Sequence, residues 1–170
     1  MTSIRNARED EALELAAIGL RAWESAIEGW IDANLMRDNA LRAFVEFTQQ
    51  YYLSIDVAEK GGQILGWAAR QNLDNAITDL WVDPIWQRQG VGGLLLQQLE
   101  QEIRDQEYDR VTVETHSQNG PALAFLKNRG YQINWMTAVW SDKLDRDVDT
   151  VGLVKILFEE DVSDLPYGQF

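Results

Sequence analysis

A strand that runs into a glycine-rich helix start constrains this chain more than any other feature. Residues 80–96 read Leu-Trp-Val-Asp-Pro-Ile-Trp-Gln-Arg-Gln-Gly-Val-Gly-Gly-Leu-Leu-Leu. The apolar opening predicts a strand, Asp83-Pro84 stops it, and the leucines that follow predict an amphipathic helix. A turn of this kind aims successive backbone N–H groups outward at the positive end of a helix, which is an anion site. Gly90 and Gly92 let an anion approach without a Cβ in the way. The spacing differs from the Gly-x-x-x-x-Gly-Lys of a P-loop and from Gly-x-Gly-x-x-Gly. The other reading of the same residues is an ordinary strand–helix turn that uses glycine for tightness.

Composition narrows the chemistry. The 170 residues are 45% apolar and predict one globular domain over 1–170, with an acidic tail from 159 to 170 expected to be loose. No cysteine is present, which removes a disulfide scaffold, a thiolate metal site and a cysteine nucleophile. A single histidine, His116, cannot form a histidine metal cluster, so no metal is expected. The formal net charge of -13 and the lack of a basic stripe argue against a nucleic-acid partner. Acidity leans toward a cationic acceptor, a small amine or a basic peptide, although it also serves solubility alone. No segment has the length of a membrane span, and the N-terminus lacks an apolar signal core, so a soluble cytoplasmic protein is expected.

The element order follows from periodicity. A short strand at 4–7 precedes a helix from Glu9 to Trp23, carrying Leu13, Ala16, Ala17, Leu20 and Trp23 at helical spacing. After a break at 28–32, a second helix runs over 34–50 with Leu35, Leu41, Phe44, Val45 and Phe47. Strands at 54–59 and 63–70 flank Lys60-Gly61-Gly62, a hairpin signal, and a third follows at 76–82. A helix over 92–106 buries Val91, Leu94, Leu95, Leu99 and Ile103; a strand at 110–115 alternates Val111 and Val113 with polar residues. A short helix at 121–128 opens on Pro121 and closes on Gly130. Strands at 131–140 and 152–158 end the pattern, separated by a charged loop, Asp142–Thr150. The fold class is α/β with a mixed sheet, in which the strands at 76–82 and 110–115 run parallel through a right-handed crossover.

A second motif lies downstream, Asn119-Gly-Pro-Ala-Leu-Ala-Phe-Leu-Lys-Asn-Arg-Gly130-Tyr131. Taken alone, an Asn-capped helix that ends at glycine is common. In this order and separation, the pair of motifs resembles the GNAT family of N-acetyltransferases. Gln87-x-x-Gly90-x-Gly92 after Val-x-Pro is similar to the loop that holds the acetyl-CoA pyrophosphate, and the second motif is similar to the helix beside the pantetheine arm. The likeness spans 54–131.

The resemblance implies a mixed, mostly antiparallel sheet of six to seven strands, splayed and flanked by about four helices, the acyl-CoA N-acyltransferase fold. It implies acetyl-CoA as co-substrate. The amides of Gln89, Gly90, Val91, Gly92 and Gly93 would meet the pyrophosphate, with side-chain donors from Gln87 and Arg88. Leu80, Trp81 and Val82 would form the strand that the pantetheine pairs with, the Leu80 amide facing the acetyl carbonyl and Val82 bonding pantetheine amides. Asn119, Ala122, Phe125 and Leu126 would line the arm. It also admits a homodimer.

Amine acetylation needs a neutral amine and a proton for the leaving thiolate. Without cysteine, direct transfer in a ternary complex is favoured over an acyl-enzyme. Glu114, at the end of its strand, is similar in position to the base of ribosomal-protein N-terminal acetyltransferases of the family. The other reading is an exposed strand-end glutamate. His116 is its rival, with a pKa suited to proton shuttling, and could equally be a plain loop histidine. Asp79 ranks lower, being on the alternate face from Leu80, and another family base position falls near Ala76. The tyrosine that many members use to protonate the thiolate is Leu126 here. That substitution keeps open an alternative, a CoA-binding regulatory or interaction module with weak turnover. Seven tryptophans are many for this length; they are either core and rim packing or, at Trp23, Trp30 and Trp135, walls of an acceptor pocket.

Overall fold

The computed structural model describes residues 1–29 and 32–158. Trp30 and the acidic tail at 159–170 lie outside the described residues. The order is β1 (Ser3–Asn6), α1 (Ala12–Ile27), α2 (Ala33–Tyr51), β2 (Ile55–Lys60), β3 (Gln63–Ala69), β4 (Ala76–Ile77), β5 (Asp79–Val82), α3 (Val91–Asp105), β6 (Arg110–His116), α4 (Gly120–Lys127), β7 (Gln132–Ser141) and β8 (Arg146–Ile156).

Two four-stranded sheets form, β1-β2-β3-β5 and β4-β6-β8-β7. The segment expected as one strand over 76–82 is divided between them. Its first two residues pair parallel with β6, Ala76 opposite Thr112 and Ile77 opposite Val113. Its last four pair antiparallel with β3. Thr78 is where it changes partner, its N–H donating to the Ala69 carbonyl at 2.9 Å. The division accounts for eight strands in place of six or seven, and it produces the splay: beyond Thr78, β5 and β6 no longer pair.

The β2–β3 hairpin is the one that Gly61-Gly62 predicts. Lys60 pairs with Gln63, and both glycines have positive φ, 58° and 79°, as a two-residue primed turn requires. The last strand differs from expectation. Arg146 to Thr150 is strand rather than loop, pairing with β7 from Ser141 to Thr137. Val148 and Thr150 are buried while Asp147 and Asp149 face solvent, so the charges of this stretch mark only its outer face.

The sheet separates two cores. Leu15, Ile18, Trp23 and Ile27 of α1 pack with Phe44 of α2 against Val57, Trp67 and Ala69. On the opposite face Val91, Leu95, Leu99 and Ile103 of α3 pack with Leu126 of α4 against Ile77, Val111, Val151 and Leu153. Leu13, Leu35 and Leu94 belong to neither core and are exposed, so the helix faces are rotated slightly from the sequence expectation. Gly19 is the close-approach point between α1 and α2, where an added Cβ would sit 2.7 Å from the Phe44 ring. Trp23 is a core residue, 2% exposed.

A polar cluster interrupts the second face. Asp56 and Arg70 are buried, and Arg70 reaches the Asp74 carbonyl at 2.7 Å, the Gln106 amide oxygen at 2.6 Å and Glu102 at 3.5 Å. Burial, with Glu102 alongside, pushes the Asp56 carboxyl up to about 8. Among the described residues no helix is long and apolar enough to cross a membrane.

Candidate active site

β5 is the outer strand of its sheet, so one of its edges is open. Asp83 donates its N–H to Leu65 at 2.9 Å, and Trp81 lies opposite Trp67. In an antiparallel ladder alternate residues turn their backbone groups to the same side. Asp79, Trp81 and Asp83 therefore face β3, and Leu80 and Val82 present N–H and C=O to the open edge. Leu80 and Val82 also pack toward α3, whereas Trp81 packs toward α1 and α2. The Gln87 side chain, expected at the pyrophosphate, instead donates to the Val82 carbonyl at 3.1 Å. It ties the loop back to the open strand.

The loop itself is shaped for an anion. Arg88 and Gly90 adopt positive φ, 62° and 82°, and Gly90 caps α3 in the left-handed conformation. The first intrahelical bond runs from Leu94 N–H to the Gly90 carbonyl at 3.1 Å. The N–H groups of Val91, Gly92 and Gly93 precede it, and among the described residues they find no acceptor. Gly92 sits against the neighbouring wall, where an added Cβ would lie 3.4 Å from Phe125 and 3.7 Å from Val82. The salt bridge from Arg21 of α1 to buried Asp83, at 2.7 Å, fixes the strand end from which the loop departs.

α4 closes the other side of the groove. Asn119 caps it, the side-chain oxygen accepting from Ala122 N–H at 3.2 Å, which leaves the amide NH2 available as a donor. Phe125 is half-buried toward the groove, but Leu126 is buried in the core beneath it, 4% exposed. One cation that sequence reasoning missed stands here. The Arg129 guanidinium lies 3.9 Å from the Phe125 ring centroid, and an added Cβ on Gly93 would come within 2.9 Å of it. The end of α4 thus delivers a positive charge to the start of α3, and no local signal in the sequence reveals that proximity.

An open strand edge, a helix start with unused amides and a cation beside it fit a long ligand with a phosphate at one end. The model of the Acetyltransferase (GNAT) family matches residues 16–131. The chain belongs to the GNAT acetyltransferase family. Acetyl-CoA is the co-substrate of that family. Among solved structures, the chain is similar to a GCN5-related N-acetyltransferase from Rhodopseudomonas palustris, with 22% identity, TM-score 0.78 and coverage of 92% of this chain and 96% of that one. It is similar to the PaiA N-acetyltransferase of Thermoplasma acidophilum in complex with coenzyme A, with 14% identity, TM-score 0.76 and coverage of 92% and 99%. It is also similar to the ribosomal-protein-S18-alanine N-acetyltransferase of Escherichia coli, with 19% identity, TM-score 0.69 and coverage of 95% and 99%. No curated protein sequence matches the chain. These likenesses establish the GNAT fold.

Within that GNAT frame, β6 carries the candidate bases. Val111 and Val113 point toward α3, so Glu114 and His116 share the opposite face with Thr112. Glu114 is exposed and lies opposite Gly152 of β8. Trp135 of β7 lies opposite the same glycine from the other side. Its indole covers Gly152 so closely that a Cβ there would be 2.1 Å away. Glu114, Gly152 and Trp135 therefore form one row across three strands. His116 is half-buried, and its pKa is lowered, first by burial and then by the charge of Lys143. Both causes disfavour the imidazolium relative to the neutral ring.

Tyr131 is not in a position to protonate a thiolate. Its hydroxyl donates to Glu100 at 2.9 Å in the core, and burial together with Glu100 raises its pKa. Lys155 meets the same Glu100 oxygen, Oε2, at 2.9 Å. Asp79 accepts from the Trp81 indole at 2.9 Å and lines a cavity of about 700 Å³ between α2, the Thr78 junction and the β7–β8 turn. That cavity lies on the α2 face, with Thr78 and Asp79 in its wall, and the groove lies on the α3 face. No group of carboxylates and histidine among the described residues is arranged to hold a metal ion.

Proposed function

We propose that this GNAT enzyme transfers the acetyl group of acetyl-CoA to a primary amine directly, in a ternary complex. The observation that carries the reading is the open edge of β5, which ends at a helix start whose first amides are unused. Val91, Gly92 and Gly93 hold the pyrophosphate through their N–H groups, with Arg129 and Arg88 supplying charge. Val82 pairs with the pantetheine amides, and Asn119, Ala122 and Phe125 wall the arm. The Leu80 N–H meets the acetyl oxygen and stabilises the charge that develops there, worth about 2–4 kcal/mol when preorganised. The acceptor enters from the α2 face, where Phe44 and Asp79 line the wall.

The amine must arrive neutral. Glu114 or His116, alternate residues on one face of β6, takes its proton as the carbon–nitrogen bond forms; the carbon–sulfur bond then breaks and the CoA thiolate leaves, taking its proton from water. Burial and Lys143 lean His116 toward the neutral form, the one able to take a proton. Calorimetry should show acetyl-CoA binding, and substituting Gly90 with valine should weaken it, because the cap position requires the left-handed conformation. Absence of binding to the native chain would remove the reading. Glu114→Gln should flatten the rise of rate with pH, and His116→Gln should do so instead if the imidazole is the base. A catalytically weak CoA-binding module remains the second reading, favoured by buried Leu126 and by Tyr131 being locked to Glu100. Tight cofactor binding without thiol release on any amine would select it.

A further inference from the structure

The cavity on the α2 face already contains an ammonium. The Lys143 Nζ lies 4.6 Å from the centroid of Phe44 and 5.7 Å from that of Trp81, within cation–π range of both. The two rings are firmly placed. Phe44 is packed on Gly19 and meets Trp81 edge-on at 5.2 Å, and the Trp81 indole is oriented by Asp79. The turn that carries Lys143 is held by its backbone. The Asn39 side-chain amide donates to the carbonyls of Asp142 and Lys143. Among the described residues Lys143 has no carboxylate within ion-pair distance. The walls nonetheless carry Glu46, Asp79, Asp142 and Asp145 against Arg42 as the other cation. An acidic cavity with an aromatic seat selects cations, and here the chain fills the seat itself.

That seat cannot be the place where the reacting nitrogen waits. A nucleophilic amine has to give up its proton, whereas a cation–π seat stabilises the protonated form. It suits a second nitrogen on the same acceptor. Asp79 of the cavity wall is one residue from Leu80, so the seat stands beside the proposed acetyl position. We propose that the Phe44–Trp81 seat is an ammonium subsite, that Lys143 is its internal occupant, and that the acceptor is a diamine or polyamine whose distal ammonium displaces Lys143. This rests on the acetyl-transfer reading for the chemistry, but not for the binding.

The test compares 1,6-diaminohexane, hexylamine and 6-aminohexanoate on the full chain and on Lys143→Ala. Because the turn is anchored through backbone carbonyls, the variant keeps its fold, and an unchanged affinity for acetyl-CoA verifies that. Thiol release should favour the diamine over hexylamine by about ten-fold in kcat/KM, and Lys143→Ala should lower the diamine KM by about ten-fold while moving that of hexylamine less than two-fold. Lys143→Arg, which keeps a cation in the seat, should not show the gain. Equal use of diamine and hexylamine, preference for 6-aminohexanoate, or a higher diamine KM in Lys143→Ala overturns the proposal and leaves acetyl transfer standing. Calorimetry of the diamine against the protein alone reads the seat without turnover. Tighter binding in Lys143→Ala supports the subsite even if acetyl-CoA fails to bind, and no diamine binding by either form overturns it.

Discussion

Trp135 rests directly on Gly152, with no room for a methyl group between the indole and the β8 backbone. Gly152→Ala should therefore drive the ring off its seat and destabilise the protein by about 1–3 kcal/mol. Trp135→Ala in the same chain should recover most of that loss, because the clash partner is gone. Thermal unfolding of the two single variants and the double variant measures the coupling. Additive effects would show that the indole is not what forbids the methyl group.

Arg129 and Gly93 make a second pairing of this kind, between the end of α4 and the start of α3. If the guanidinium binds phosphate, Arg129→Ala should weaken acetyl-CoA binding by about ten-fold, the scale of one charge-assisted hydrogen bond. The salt dependence of binding should also become shallower. Calorimetry at two ionic strengths checks both; an unchanged salt dependence would leave Arg129 with packing on Phe125 alone.

His116 can be followed on its own by proton NMR, since the chain has a single histidine. Its folded pKa lies below the ordinary value, so it should titrate below about 6.5. Lys143→Met removes the lesser of its two causes and should raise that pKa, leaving it still depressed by burial. The sign for stability follows. The unfolded chain binds the proton more readily, so His116 costs nothing above the unfolded pKa and lowers stability as pH falls through it toward the folded value.

Asp56 acts in the opposite sense on the far side of the sheet. Its carboxyl is pushed up to about 8, so between the unfolded value and about 8 the folded state holds the extra proton. Stability from this group is full in acid and declines as pH rises through that window. Asp56→Asn keeps the shape without the charge. It should gain on the native chain by about 1–2 kcal/mol between pH 6 and pH 8, on the scale of about 1.4 kcal/mol per pKa unit. Urea unfolding at the two pH values reads the difference.

What could be read from residues alone was whatever is written in local pattern. Gly61-Gly62 specifies the hairpin, and Gly90, Gly92 and Gly93 specify the start of α3. The change of partner at Thr78 was hidden, because it depends on which strand lies alongside and not on the residue itself. The strand at 146–150 was legible in principle. Its alternation of Val148 and Thr150 with Asp147 and Asp149 has a period of two, masked by the charge. Arg129 and Lys143 were missed for a different reason. Each acts on a residue far away in sequence, Gly93 in one case and Phe44 in the other, and only the packed chain brings them together.

The division of the apolar interior into two bodies on opposite faces of the sheet also bears on how such a protein can change. The edge of β5 and the start of α3 belong to one body; Phe44, Trp81 and the walls around Lys143 belong to the other. Substitutions in α2 or in the turn after β7 can remodel what the cavity admits without repacking α3. Under the proposed placement of donor in the groove and acceptor in the cavity, donor use and acceptor choice become separable traits, able to drift at different rates within one chain.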